Sequence, residues 1–479
     1  MMAVTATIPL IIRGEVIEAD LLDYGAFSTP AVEPYIDRLI LRDPLDLRDL
    51  HALSTCEVID YLVELGHHLR LHSNGHLRQA LERTATGPIY TRPMAEAIYE
   101  NFPRLLSRPH LEEYVESNLG SRYHDGWVET RLHDRRTAVR AFGARAVHVI
   151  AGNGPAVSLM TVIANAIARS DAIIKLPSHE PGAATAIVRT MIDVAPDHPI
   201  TRHVSVAYWK GGDRTIEKRL YNSRNIEKIV AWGGFASMRS IREHLEPGID
   251  LIALDPKLSA SIIGRTAFDS DTAMAEAAAR AAFDIGHFNQ AGCVNARVLY
   301  IESGTDPAGV ALANRFGEMV YREIQDLPAD ASSPHPSFDP VLREELDGIR
   351  HSSDFRMFGG RGNEGAVIVS QAEEIVDFSE RLDCRVANIV PVDRAEDALR
   401  YLTVDTQTIG IYPEELKRRL RDECALRGGQ RVISLGFATA AGASMTGPHD
   451  ALQLLGRMVR WLRDDTLEHV TGVVHATSP

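Results

Sequence analysis

From Val147 to Trp232, short apolar runs alternate with helix-patterned stretches, and this rhythm constrains the fold more than any other feature of the chain. The runs are Val147-His148-Val149-Ile150, Ala172-Ile173-Ile174, Val204-Ser205-Val206-Ala207 and Ile229-Val230-Ala231. Strands separated by helices read as βα units on a parallel sheet. Upstream, residues 31 to 120 carry helical spacing, with Leu62, Leu65 and Leu69, then Met94, Ala97 and Ile98. Downstream, an Ala-rich helical pattern from Thr272 to Phe283 precedes another strand-like run, Arg297-Val298-Leu299-Tyr300-Ile301. At 479 residues the chain exceeds one compact core, so an α/β protein of two or three lobes is expected.

The polar balance removes several functions. The net charge is −14, whereas a nucleic-acid surface needs concentrated Lys and Arg, so no nucleic-acid partner is expected. The longest apolar stretch, Ala146 to Ala168, is broken by His148, Asn153, Pro155 and Asn165, so no membrane span is expected. Met1 to Ile12 lacks the basic start of a secretory signal. Cys56, Cys293, Cys384 and Cys424 are spaced neither as a disulfide frame nor as metal ligands. No metal is expected, and a reducing cytoplasm is the expected compartment. Asp326 to Pro340 reads as a surface loop, and so does the glycine run Gly359-Gly360-Arg361-Gly362.

Chemistry concentrates at Cys293, in His287-Phe288-Asn289-Gln290-Ala291-Gly292-Cys293-Val294-Asn295-Ala296-Arg297-Val298. A thiol in a polar, Gly-containing turn between helix and strand is placed as a nucleophile would be. The thiolate attacks readily and forms thioesters that another thiol or a hydride can discharge. A lone cysteine is more often a small core residue. Three further segments change the balance: Val149-Ile150-Ala151-Gly152-Asn153-Gly154-Pro155, Ala172-Ile173-Ile174-Lys175-Leu176-Pro177-Ser178, and Lys228-Ile229-Val230-Ala231-Trp232-Gly233-Gly234.

In this order and spacing the four segments resemble the aldehyde dehydrogenase superfamily. The wording is most similar to its LuxC-like branch, the long-chain acyl-CoA (acyl-protein thioester) reductases. Ile8-Pro9-Leu10-Ile11-Ile12-Arg13-Gly14, Asp255-Pro256-Lys257-Leu258-Ser259 and Gly447-Pro448-His449-Asp450 to Arg460 carry that resemblance, which spans about residues 8 to 465. It implies an aldehyde dehydrogenase-like fold. A Rossmann-type cofactor domain would occupy residues 1–257, interrupted by a small β oligomerisation arm at about 124–145. A catalytic domain carrying Cys293 would occupy 258–440, and segment 441–479 would return to the first domain.

The resemblance also assigns roles. Cys293 would be the nucleophile, and Asn153 would bind the oxyanion together with the Cys293 backbone N–H. Lys175 and Ser178 would face the adenosine ribose. An acidic residue at Ser178 would repel a 2′-phosphate, and serine does not, so NADPH is the expected cofactor. Trp232, Gly233 and Gly234 would let backbone approach the pyrophosphate. Gly211, in Lys210-Gly211-Gly212-Asp213, would belong to a neighbouring cofactor loop, although a plain turn explains it equally.

Hydrolytic members use a Glu to activate water, and the corresponding region here reads Ile252-Ala253-Leu254-Asp255-Pro256-Lys257-Leu258, with Asp255 out of register. Without that base an acyl-enzyme survives for a thiol or a hydride. The expected activity is therefore NADPH-dependent reduction of a fatty acyl thioester, acyl-CoA or acyl-protein, to the aldehyde through acyl-Cys293. The alternatives are a CoA-acylating aldehyde dehydrogenase for short chains, or a redox-inactive cysteine acyltransferase or thioesterase. Glu380 is a weak candidate for the nicotinamide-ribose carboxylate, and His449, next to Asp450, reads as a packed or surface histidine before it reads as a proton donor or a pocket wall. A homo-oligomer, dimer or tetramer, is implied, with acyl-transferring and acyl-activating enzymes as candidate partners.

Overall fold

The computed structural model describes residues 6–132, 135–439 and 454–467. Its first seven-stranded sheet runs in the order Asp250–Leu254, Lys228–Trp232, Arg145–Val149, Asp171–Lys175, Val204–Ala207, Leu10–Ile12, Glu15–Ile17. The first five are parallel and the last two antiparallel. Strands Arg145–Val149, Asp171–Lys175 and Val204–Ala207 are buried along their whole length, as parallel strands covered on both faces must be. Neighbouring side chains serve opposite faces. Ile174 packs with Leu159 and Ile187 of the helices Pro155–Ala168 and Gly182–Val194, and Ile173 packs with Ile216 and Met238 on the other side.

The chain steps from Arg145–Val149 outward through Asp171–Lys175 to Val204–Ala207, then returns to place Lys228–Trp232 on the opposite flank of Arg145–Val149. This reversal opens a crevice at the carboxyl ends of Arg145–Val149 and Lys228–Trp232, where open α/β sheets bind ligands. The turn Gly152-Asn153-Gly154 leaves one side of it and Gly233-Gly234 the other. Helix Pro155–Ala168 starts with Pro in its first turn, where the missing N–H has no intrahelical partner to lose.

The second sheet runs Phe355–Gly359, Ala366–Ser370, Val386–Pro391, Ala296–Ile301, Leu258–Ile263, Thr406–Tyr412, Arg431–Ser434. Only the edge strand Phe355–Gly359 is antiparallel, so the glycine run at 359–362 is a hairpin turn between strands. Helices Asp271–Gly286 and Pro307–Gln325 cover one face. Residues 36–118 form short helices, including Thr55–His68, Gly75–Ala85 and Arg92–Glu100, that share the core of the first sheet. A three-stranded antiparallel sheet joins Val128–Arg131, Arg135–Phe142 and the late strand Arg460–Leu467. Among the described residues no helix is long and apolar enough to cross a membrane.

Candidate active site

Beyond helix Asp271–Gly286 the backbone enters a left-handed turn, with φ of 57° at Phe288, 53° at Asn289 and 65° at Gln290. Non-glycine residues rarely accept this region, Asn being the most tolerant. Side-chain amides hold the turn in place. The Asn289 carboxamide, 0% exposed, donates to Ile89 O (3.3 Å) and accepts from Ser332 Oγ (3.2 Å) and Ser333 N (3.0 Å). Gln290 donates to Ala296 O (3.0 Å) and Val386 O (2.9 Å) and accepts from Val386 N (2.9 Å). Asn295 Nδ2 donates to Asp284 O and His287 O, both at 3.0 Å, and its Oδ1 accepts from Gly292 N (3.0 Å).

Cys293 stands on this frame, half-buried, and is not in a disulfide. Ser259 Oγ donates to the Cys293 carbonyl (2.6 Å) and accepts from Thr408 N (3.2 Å), so the second sheet fixes the backbone of the thiol directly. Arg297 and Arg431 both lie in its field. Burial lowers each guanidinium; Asp383 and Cys293 oppose this at Arg297, and Asp284 and Cys293 oppose it at Arg431. Cationic neighbours favour a thiolate.

Asn153 comes to the same turn from the first sheet. Its side chain is exposed, yet its Nδ2 donates to Ala291 O (2.9 Å), two residues before Cys293. The amide has a second N–H for another acceptor. The carbonyl of Asn153 accepts from the Tyr90 hydroxyl.

A cleft of about 220 Å³ opens at the end of strand Asp171–Lys175, lined by Val149, Lys175, Gly211, Glu217, Ser237 and Ser240 among others. Lys175 is only 9% exposed and lies 5.4 Å from the centre of the Trp209 ring. Burial lowers its ammonium, and Glu217 opposes this. Glu217 Oε1 accepts from Trp209 Nε1 (3.3 Å) and Gly212 N (3.1 Å), while Glu217 Oε2 and the Tyr221 hydroxyl are buried without a partner among the described residues. A Cβ at Gly211 or Gly234 would meet nothing within 4 Å. Spare donors and acceptors beside side-chain-free backbone suit the hydroxylated, anionic adenosine half of a nicotinamide dinucleotide.

The structure thus brings Cys293 to Asn153, and Lys175 to Gly211. Trp232, Gly233 and Gly234 lead into helix Phe235–His244, whose Ser237 and Ser240 form the far wall of the cleft. Ser178 is exposed on the loop after Lys175, its hydroxyl hydrogen-bonded to His179 Nδ1 (3.3 Å). Asp255 faces Arg242 (3.4 Å). Glu380 is exposed, whereas the nearby Asp383 is more deeply placed and faces Arg297. His449 lies outside the described residues. Among those residues no group of three or more His, Cys, Asp or Glu could hold a metal ion. Tyr90, Ser259 and Glu217 are functional candidates that sequence reading passed over. Only Ser259 lay in a motif segment; the other two act through contacts that spacing does not reveal.

Comparison with known proteins shows which family the chain belongs to. The chain is 28% identical over 480 residues to a long-chain acyl-protein thioester reductase of Photorhabdus laumondii, covering 98% of this chain and 95% of that one. It is 25% identical over 464 residues to the protein of the same description from Vibrio harveyi, covering 95% and 92%. Among solved structures, lactaldehyde dehydrogenase from Escherichia coli superposes with a TM-score of 0.72 at 13% identity, over 97% of this chain and 100% of that one. The fold is that of the aldehyde dehydrogenases. The acyl-CoA reductase (LuxC) model matches residues 50–461, and the chain belongs to that family of oxidoreductases.

Proposed function

We propose that the protein reduces a fatty acyl thioester, carried on CoA or on a protein, to the aldehyde through an acyl-Cys293 intermediate, with NADPH as reductant. The carrying observation is the hydrogen bond from Asn153 Nδ2 to Ala291 O, which sets an amide donor and the thiol on one turn. Cys293 sulfur attacks the thioester carbonyl, the bond to the carrier sulfur breaks, and the carrier leaves as a thiol after taking a proton. Arg297 and Arg431 favour the thiolate before attack. The second N–H of Asn153 binds the acyl oxygen as it gains charge, an interaction worth on the order of a hundred- to a thousandfold in rate. Lys175, Gly211, Ser237 and Ser240 would hold the adenosine half of the cofactor, and Gly233-Gly234 would stand at its pyrophosphate. When bound, reduced nicotinamide supplies the hydride.

Asp255 is turned to Arg242 and activates no water at the acyl-enzyme, which favours aldehyde over free acid. The relatives are described as acting on acyl-protein thioesters, so an acylated protein is the preferred donor here. Assembly as a homo-oligomer through the Arg135–Phe142 strand and its neighbours, in the cytoplasm, completes the reading.

The test is oxidation of NADPH with tetradecanoyl-CoA, run beside Cys293→Ala and with NADH for comparison. Oxidation by the wild type and loss of about a thousandfold or more in the variant is expected. Release of CoA thiol without oxidation of either nucleotide sinks the reductase reading and leaves acyl transfer or hydrolysis.

A further inference from the structure

The segment Ile89-Tyr90-Thr91, just ahead of helix Arg92–Glu100, ties together three loops that are far apart in sequence. Ile89 O accepts from Asn289 Nδ2 (3.3 Å), the Tyr90 hydroxyl donates to Asn153 O, and Thr91 Oγ1 hydrogen-bonds Ser333 Oγ (2.8 Å). Ser333 N in turn donates to Asn289 Oδ1 (3.0 Å). One short segment of the helical layer therefore touches both the Asn153 turn and the turn that carries Cys293.

Asn153 needs such a contact. It lies between Gly152 and Gly154 with its side chain exposed, so its neighbours restrain it little. The phenol is packed against this turn, since a Cβ on Gly154 would sit 3.3 Å from the Tyr90 oxygen. Tyr90 itself is buried in the main core with Met94, Tyr99 and Leu159, and its ring cannot move aside cheaply. Burial also raises its phenol above the ordinary range, so the hydroxyl stays a donor.

Resting on the reading of Asn153 as the oxyanion donor, we propose that Tyr90 is a positioning residue. Its O–H fixes the Asn153 carbonyl and thereby aims the Asn153 carboxamide at the acyl oxygen on Cys293. Tyr90 touches neither substrate nor cofactor in this role. Through Ile89 and Asn289 the same segment sets where the thiol turn stands, so donor and nucleophile are located from one strut.

Tyr90→Phe removes the oxygen and keeps the ring. With tetradecanoyl-CoA and NADPH, kcat is expected to fall about five- to tenfold, the scale of one lost hydrogen bond, with the KM for NADPH unchanged. In an Asn153→Ala background the same substitution is expected to change kcat no further. Rates are normalised to active sites titrated as the burst of CoA thiol released without NADPH, so a partly unfolded preparation does not mimic the loss. Equal losses in both backgrounds, or no loss in either, would overturn the proposal, because Tyr90 would then act through packing or not at all. An Asn153→Ala enzyme with undiminished kcat instead removes the oxyanion role of Asn153, a distinguishable failure.

Discussion

The cleft beside Lys175 and the turn that carries Cys293 are built by opposite means. At the cleft the chain withholds side chains: Gly211 and Gly234 face open space, and among the described residues buried polar atoms of Glu217 and Tyr221 have no partner. At the thiol turn every amide side chain is engaged, with Asn289, Gln290 and Asn295 spending their donors and acceptors on backbone and serines. In the proposed reading the cleft exchanges a cofactor at every turnover and gains from groups held in reserve. A nucleophile gains from a backbone with one conformation, because misplacement of the attacking atom costs rate steeply.

The sharpest way to break this contrast is to remove one amide and one absence. Asn289→Ala deletes three hydrogen bonds inside the protein and leaves alanine at φ 53°, so a stability loss of about 4 kcal/mol is expected in urea denaturation. Asn289→Gly should recover about 1 kcal/mol of it, since glycine accepts that φ. Gly211→Ala adds a methyl to open space and should leave stability within about 0.5 kcal/mol, while raising the KM for NADPH. Comparable losses at both positions would erase the distinction.

The second prediction uses pH. Asp284, buried under the thiol turn, accepts from Gly436 N (2.8 Å) and Ala438 N (2.9 Å), yet burial pushes its carboxyl up to about 6. The folded state thus keeps a proton that the unfolded chain releases near its usual pKa of 3.8. The stability this contributes is present below that value and lost as pH rises through about 6, by up to about 3 kcal/mol. His148, in the first sheet, is pushed down to about 4 by burial, and its contribution has the opposite sign. It is present above 6.5 and lost as pH falls through about 4. Asp284→Asn should therefore flatten the fall in denaturation midpoint as pH rises from about 3.8 to about 6, and His148→Gln the fall as pH drops from 6.5 to about 4. Unchanged slopes in both variants would show that neither group titrates with folding.

How much of this could be read from the sequence follows the same divide. The alternation from Val147 to Trp232 revealed the parallel strands because burial on both faces demands apolar runs, and Val204–Ala207 matches its predicted bounds. Asn153 and Cys293 were visible because each lies in a turn between regular elements, where local composition is distinctive. Tyr90 was not, since its partner is 63 residues away and a tyrosine ahead of a helix looks like core. Glu217 was hidden for another reason: it belongs to the helix Arg214–Leu220 and looks like a solvated charge until folding turns it toward Trp209 and Lys175. The glycine run at 359–362 read as a loop, and it closes a strand-to-strand hairpin.

The smallest effect tests which side of the cleft selects the cofactor. Ser178 is exposed on the loop beyond Lys175, so a carboxylate there acts on a 2′-phosphate partly through water, and a penalty of about 1 kcal/mol is the expected scale. Ser178→Glu should then raise the KM for NADPH about fivefold and leave that for NADH nearly unchanged, with kcat preserved for both. The stability of the thiol turn should not respond, because no contact of Ser178 reaches it beyond its neighbour His179. If the two nucleotides are affected alike, selectivity resides instead with Ser237 and Ser240 on the opposite wall, where Lys175 and the partnerless Glu217 oxygen already face them. Cofactor choice would then be set inside the buried cleft, and the exposed loop would only frame its mouth.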